Sequence, residues 1–183
     1  MGYLVGFTGS HRVGKTALMK ALLESVPKLQ AVQSDVAGVL AKRGTNAKIE
    51  VPFQERLVHQ RAILDYHVGI WRKALEGDGT FITDRTPLCF ITYTLYDLPR
   101  NITAHEEKLL NSYIEDCFEI LNWFKTVFLV QPGIPLIPAD TSAGATYWSL
   151  EKFNSILLDV VSKSTKVSSA TVNVLDRNLI VLK

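Results

Sequence analysis

Residues 3–8 form a short, mostly apolar run that stops at Gly9, without the polar–apolar alternation of a half-buried strand. A run of this kind reads as a first strand covered on both faces. Over residues 15–25, Leu18, Met19, Leu22 and Leu23 recur at helical spacing, and Pro27 marks the exit. Residues 29–33 read as a second strand. Ser34-Asp35 then supplies an N-cap for a helix to about Arg43, with Gly44 as its stop. Pro52 opens the longest helix, which runs to about Glu76 with Leu57, Arg61, Leu64, Val68, Trp71 and Leu75 along one stripe. The arginine in that stripe suggests that its start faces a cleft.

Gly77-Asp78-Gly79 is a turn, and residues 80–83 are a short strand entering Asp84-Arg85. Helical patterns follow at 87–97 and 104–123, a β-branched strand at 126–130, and a proline- and glycine-rich loop at 132–145. A helix at 150–162 and a last strand at 171–175 complete the alternation. Strands alternating with helices predict an α/β protein: a three-layer fold with a parallel five-stranded sheet flanked by helices. No repeat or linker divides the chain, so residues 1–183 are expected to form a single domain.

Composition narrows this little. A net charge of +2 argues for neither nucleic acid nor membrane on its own, although a local basic groove would be invisible in that total. Lys42, Arg43 and Lys48 cluster in sequence and read as a solvated helix end. Cys89 and Cys117 both lie in apolar stretches and are too few for a disulfide framework, which fits buried thiols in a reducing compartment. The N-terminal residues lack the pattern of a secretory signal, and no apolar run approaches the roughly 20 residues of a membrane span. The expectation is a soluble, cytoplasmic protein with no membrane partner. His59, His67 and His105 show no metal-ligand spacing.

The chemistry enters at Gly9-Ser10-His11-Arg12-Val13-Gly14-Lys15-Thr16, which fits G-x-x-x-x-G-K-[ST], the Walker A phosphate-binding loop. With glycine at about 7% of residues, such a match arises by chance in roughly one chain of this length in a hundred. Here it also lies between a predicted strand and a predicted helix. Gly9 permits a tight exit from the strand, and Gly14 lets the backbone curl round a phosphate. The loop amides and the helix N-terminus, through Ala17, then point at the anion. Lys15 bridges the outer phosphates of ATP and Thr16 offers its hydroxyl to magnesium. Arg12 has the reach to meet the transferring phosphoryl group as an arginine finger supplied in cis. His11 reads as a loop residue.

Asp84-Arg85 sits at the C-terminal end of a strand, where ligands gather in open α/β sheets. Asp84 would hold the metal shell or accept the acceptor's proton, and Arg85 would clamp a phosphate. Asp35, after the second strand, is a candidate to touch an acceptor hydroxyl or a plain N-cap. Arg56 and Gln60, one turn apart, read as a solvated helix face, and Asp140 is left without a role.

With these residues in place, the chain resembles the P-loop kinases of nucleosides and nucleotides. The loop with Arg12 is similar to that of one class of thymidylate kinases, and Asp84-Arg85 resembles the Asp-Arg pair those enzymes carry after the third strand. The segment 81–97 looks closer to small bacteriophage-encoded AAA-type kinases related to the ribosylnicotinamide kinase domain. Some of these phosphorylate deoxynucleotides, and others phosphorylate 5-hydroxymethyluracil within DNA. The resemblance implies an ATP- and magnesium-dependent transferase acting on a nucleotide, a deoxynucleoside monophosphate first of all. The alternatives are a kinase of the modified base in DNA and a P-loop ATPase switch. It implies a nucleoside triphosphate and a nucleotide acceptor or modified DNA as partners, leaves a homodimer open, and places a phage-encoded protein in the host cytoplasm. Two departures stand out. Family members often carry an acid where this chain has Cys89, and residues 132–148, expected as a lid, contain no arginine or lysine.

Overall fold

A computed structural model describes residues 1–11, 13–46, 49–131, 146–164, 169–174 and 177–182, the last two stretches as backbone alone. The order of elements is β1 (Tyr3–Thr8), α1 (Lys15–Ser25), β2 (Leu29–Ala31), α2 (Val36–Ala41), α3 (Phe53–Glu76) and β3 (Thr80–Thr83). Then follow α4 (Pro87–Tyr96), α5 (Ala104–Leu121), β4 (Phe124–Val130), α6 (Tyr147–Ser162), β5 (Ser169–Val174) and β6 (Arg177–Leu182).

The sheet runs β2-β3-β1-β4-β6-β5. The first four strands are mutually parallel, whereas β6 is antiparallel to both β4 and β5. The expected five-stranded parallel sheet is therefore wrong: four parallel strands carry an antiparallel hairpin at one side. The predicted last strand corresponds to β5, which points the same way as β4 but does not touch it. Between them lies β6, a strand the sequence reading did not recognise. Only residues 175 and 176 join β5 to β6, and so short a connection can link antiparallel neighbours but not parallel ones.

The inner strands β1 and β4 are covered on two sides, which explains the missing alternation in β1. In β1 and β4, Leu4, Val127 and Leu129 face a core built with Trp71, Leu88, Phe90, Tyr113, Cys117 and Leu157 from α3, α4, α5 and α6. Phe7 and Val130 face the other way, onto Val13 and Met19 beside α1. The buried residues of α3 include Leu57, Leu64, His67, Trp71 and Ala74, and Val68 and Leu75 pack partly buried on the same core, so the core-facing stripe takes in His67 as well as Val68. Arg61 is thereby displaced to the margin. It pairs with Asp116 on α5 and, at 3.4 Å, with Asp65.

Caps fix where the helices start. Asp35 accepts from the Gly38 N–H at 2.8 Å. Thr86 and Pro87 start α4. Thr103 and Glu106 form a reciprocal capping box on α5. No helix among the described residues is long and apolar enough to cross a membrane.

Candidate active site

The loop after β1 begins where only glycine fits. Gly9 has φ 155°, and a Cβ there would stand 2.5 Å from the Val130 carbonyl oxygen at the end of β4. The loop ends on Gly14, whose left-handed backbone (φ 89°) caps α1 with no side-chain hydrogen bond. The first amides of α1 therefore keep their donors for something other than a side-chain cap. Ser10 is buried, and its Oγ has no hydrogen-bond partner among the described residues. A donor-rich turn with an orphaned hydroxyl is the local chemistry of an anion cradle.

Lys15 folds back over this turn. Its Nζ donates to the Gly9 carbonyl at 2.9 Å and to the Ser10 carbonyl at 2.7 Å. Burial lowers its affinity for the proton, and Arg85 adds to that, while Cys89 and Asp84 act in the opposite sense. One residue further on, Thr16 Oγ1 donates to Asp84 Oδ2 at 3.4 Å. The fold thus brings together a hydroxyl and a carboxylate that lie 68 positions apart in sequence. Val13 is buried against α1, and Ala17 is exposed in its first turn. Arg12 lies outside the described residues, as do Lys48, Asp140 and most of the expected lid.

Asp84 and Arg85 follow β3 in a turn in which the Arg85 N–H donates to Thr83 Oγ1 at 3.3 Å. The Arg85 guanidinium lies 5.8 Å from the centre of the Tyr93 ring and donates to its hydroxyl at 3.4 Å. Burial opposes its charge, but Tyr93, Cys89 and Asp84 outweigh burial, and its pKa is raised. Tyr93 OH also lies 2.7 Å from His11 Nε2, and the two rings tilt against each other and against Phe153 of α6. Tyr93 therefore ties the loop after β1 to Arg85, a contact that sequence reasoning missed. Its one signal is its position two helical turns beyond Arg85 on α4.

Beneath this group lies Cys89, only 1% exposed. Its Sγ is 3.0 Å from Thr8 Oγ1 and receives a bond from Thr86 Oγ1 at 3.6 Å. Burial raises the thiol's pKa, but Lys15, the two hydroxyls and Arg85 together outweigh it, and the net direction is down. Cys89 thus sits in positive surroundings. Cys117 is the opposite case, a thiol in the apolar core pushed up to about 12 chiefly by burial.

The remaining candidates lie elsewhere. Asp35 is engaged as the cap of α2. Arg56 is tied to Asp97 at 2.6 Å, and Lys42 and Arg43 are exposed just after α2. His67 is fully buried behind the Asp84-Arg85 turn and is bonded to Ser34. No group of three or more His, Cys, Asp or Glu side chains that could hold a metal occurs among the described residues.

No protein-family model and no curated protein sequence matches this chain. Among solved structures, thymidylate kinase from Ehrlichia chaffeensis superposes with a TM-score of 0.53 at 16% identity, covering 88% of this chain and 87% of that one. At that identity the likeness is one of fold, and it extends over nearly the whole of both chains.

Proposed function

We propose that this chain is an ATP- and magnesium-dependent kinase that transfers the terminal phosphoryl group to a nucleotide, with a deoxynucleoside monophosphate as the first candidate, from one domain spanning residues 1–183. The observation that carries the reading is the meeting of Thr16 and Asp84, 3.4 Å apart, beside the lysine of a glycine-bounded loop. Magnesium usually takes one or two protein oxygens and completes its shell with water and substrate phosphates. A hydroxyl and a carboxylate at this separation fit that donor set. When bound, the ion would neutralise charge on the outer phosphates. The fold shared with a thymidylate kinase supports the same reading.

The chain's own groups divide the remaining work. The loop amides and the α1 N-terminus hold the phosphate tail, and Lys15 exchanges its two carbonyl partners for phosphate oxygens. Arg85, oriented by Tyr93 and kept charged, offers a fork to the group in flight. From its place in the motif, Arg12 supplies the second positive charge, in keeping with a lid segment that contains neither arginine nor lysine. Asp84 either completes the metal shell or accepts the acceptor's proton. Catalysis of this kind is mainly positioning and electrostatics.

Terminally labelled ATP offered with nucleosides, nucleoside monophosphates and DNA containing 5-hydroxymethyluracil tests the proposal. Label on a monophosphate is the expected result. Label on the DNA moves the acceptor to the polymer. Label released only as inorganic phosphate, at a rate indifferent to every acceptor, makes the protein an ATPase and overturns the kinase reading.

A further inference from the structure

Ser34 and the Asp84-Arg85 turn follow the ends of neighbouring parallel strands. Past the end of β2, the Val32 N–H still donates to the Ile82 carbonyl at 2.8 Å, so β2 and β3 remain in register there. Ala31 pairs with Ile82, so at the same offset Ser34 comes level with Arg85, one residue past Asp84, at the rim where the parallel strands end. Ser34 is partly exposed, and behind it stands His67, with no exposure at all.

The hydrogen bonds settle which way this pair is polarised. His67 Nδ1 lies 2.7 Å from the Ile63 carbonyl, which can only accept, so Nδ1 carries the proton. The ring is neutral: burial, with a smaller push from Arg85, lowers its pKa to about 4 against the opposing effects of the Ile63 carbonyl and Asp84. Nε2 is then a lone pair, and Ser34 Oγ, 2.8 Å away, must donate to it. Tyr66, Trp71 and Phe90 hold the imidazole in place with ring centres at 5.2, 5.3 and 4.7 Å. The one hydrogen of the Ser34 hydroxyl is thus committed inward, and only its lone pairs face the rim. Asp84, on the adjacent strand end, also presents acceptors alone when ionised.

We propose that Ser34 is a specificity-determining residue that accepts a hydrogen bond from a hydroxyl or amino group of the phosphoryl acceptor, and that His67 is the positioning residue that keeps Ser34 in the accepting state. This rests on the kinase reading above and names the chemistry that the acceptor must carry. A site whose hydroxyl cannot turn to donate rejects an analogue lacking the donor, because the lone pairs are then left without a partner.

The test begins with the best acceptor of the wild-type protein and two analogues, one lacking a single sugar hydroxyl and one lacking a base amino group. The wild type is expected to lose about tenfold or more in kcat/KM on one of the two, and which one identifies the source of the donor. Ser34→Ala should bring that ratio close to one. His67→Phe should shrink the ratio by freeing the hydroxyl to rotate, and His67→Gln, which restores an acceptor atom, should recover it. Triphosphate affinity measured in parallel reports folding of each variant. An undiminished ratio in Ser34→Ala, with transfer still measurable, overturns this inference alone. A wild-type protein that transfers label to no acceptor overturns the kinase reading and this inference with it.

Discussion

His67 is an ionisable ring with no solvent contact, and its environment has a measurable consequence for stability. Its pKa is about 4 in the folded chain, against about 6.5 when exposed, mainly because burial disfavours the imidazolium. Between those two values the unfolded chain binds the extra proton and the folded chain does not. The contribution is therefore fully present above about pH 6.5 and is lost as pH falls towards 4, by about 3 kcal/mol in all. Denaturant midpoints across that window should fall with pH in the wild type and flatten in His67→Gln. Arg12 belongs to the same scale. If it acts as a finger in cis, Arg12→Ala lowers turnover by about a thousandfold or more while triphosphate affinity stays nearly constant. Steady-state rates alongside equilibrium binding check this, and normal turnover removes the role. The glycine-bounded motif at 9–16 could be picked out of the sequence because its residues are consecutive and each position has a chemical reason. Ser34 with His67, and Tyr93 with Arg85, could not be. They meet only because helices and strand ends are packed, and no spacing rule marks a serine and a histidine 33 positions apart.

At the scale of elements, the helices follow their punctuation. α1 and α3 end within a residue of where Pro27, Pro52 and Gly77 predict, because proline and glycine act locally whatever the tertiary context. Which face of α3 turns inward was harder to read. A stripe drawn at three- and four-residue steps included Arg61, whereas packing widens the inner face to take in His67 and leaves Arg61 at its edge. Burial decides a helix's inner face, and a neutral histidine bonded at both nitrogens can occupy it as well as valine can. Arg61, with its partners Asp65 and Asp116 at the surface, is then a solvated ion pair between α3 and α5. Pairs of this exposure contribute about 0–1 kcal/mol. Arg61→Met is expected to shift the unfolding free energy by no more than about 1 kcal/mol and to leave turnover unchanged, as denaturant titration and a standard assay will tell.

At the scale of the molecule, the α/β class, the position of β1 beside the loop and the arrival of Asp84 at the rim all follow from the alternation of elements. The hairpin did not, because its second strand was hidden in a short apolar run after the alternation had been closed. β6 covers the outer edge of β4 along Val127–Val130, where Val127, Leu129 and Val130 are among the most deeply buried side chains. Removing residues 165–183 should therefore leave an open apolar edge, lowering the unfolding free energy and promoting self-association. Chemical denaturation and sedimentation of the shortened chain test this. The topology also bears on how the protein is made. The strand that is last of the six in sequence is an inner one, and β5 meets the sheet only through it. Translation delivers every other strand first, so the sheet stays unfinished until β6 has cleared the ribosome. During that interval β4 offers its bare side to any nascent chain nearby.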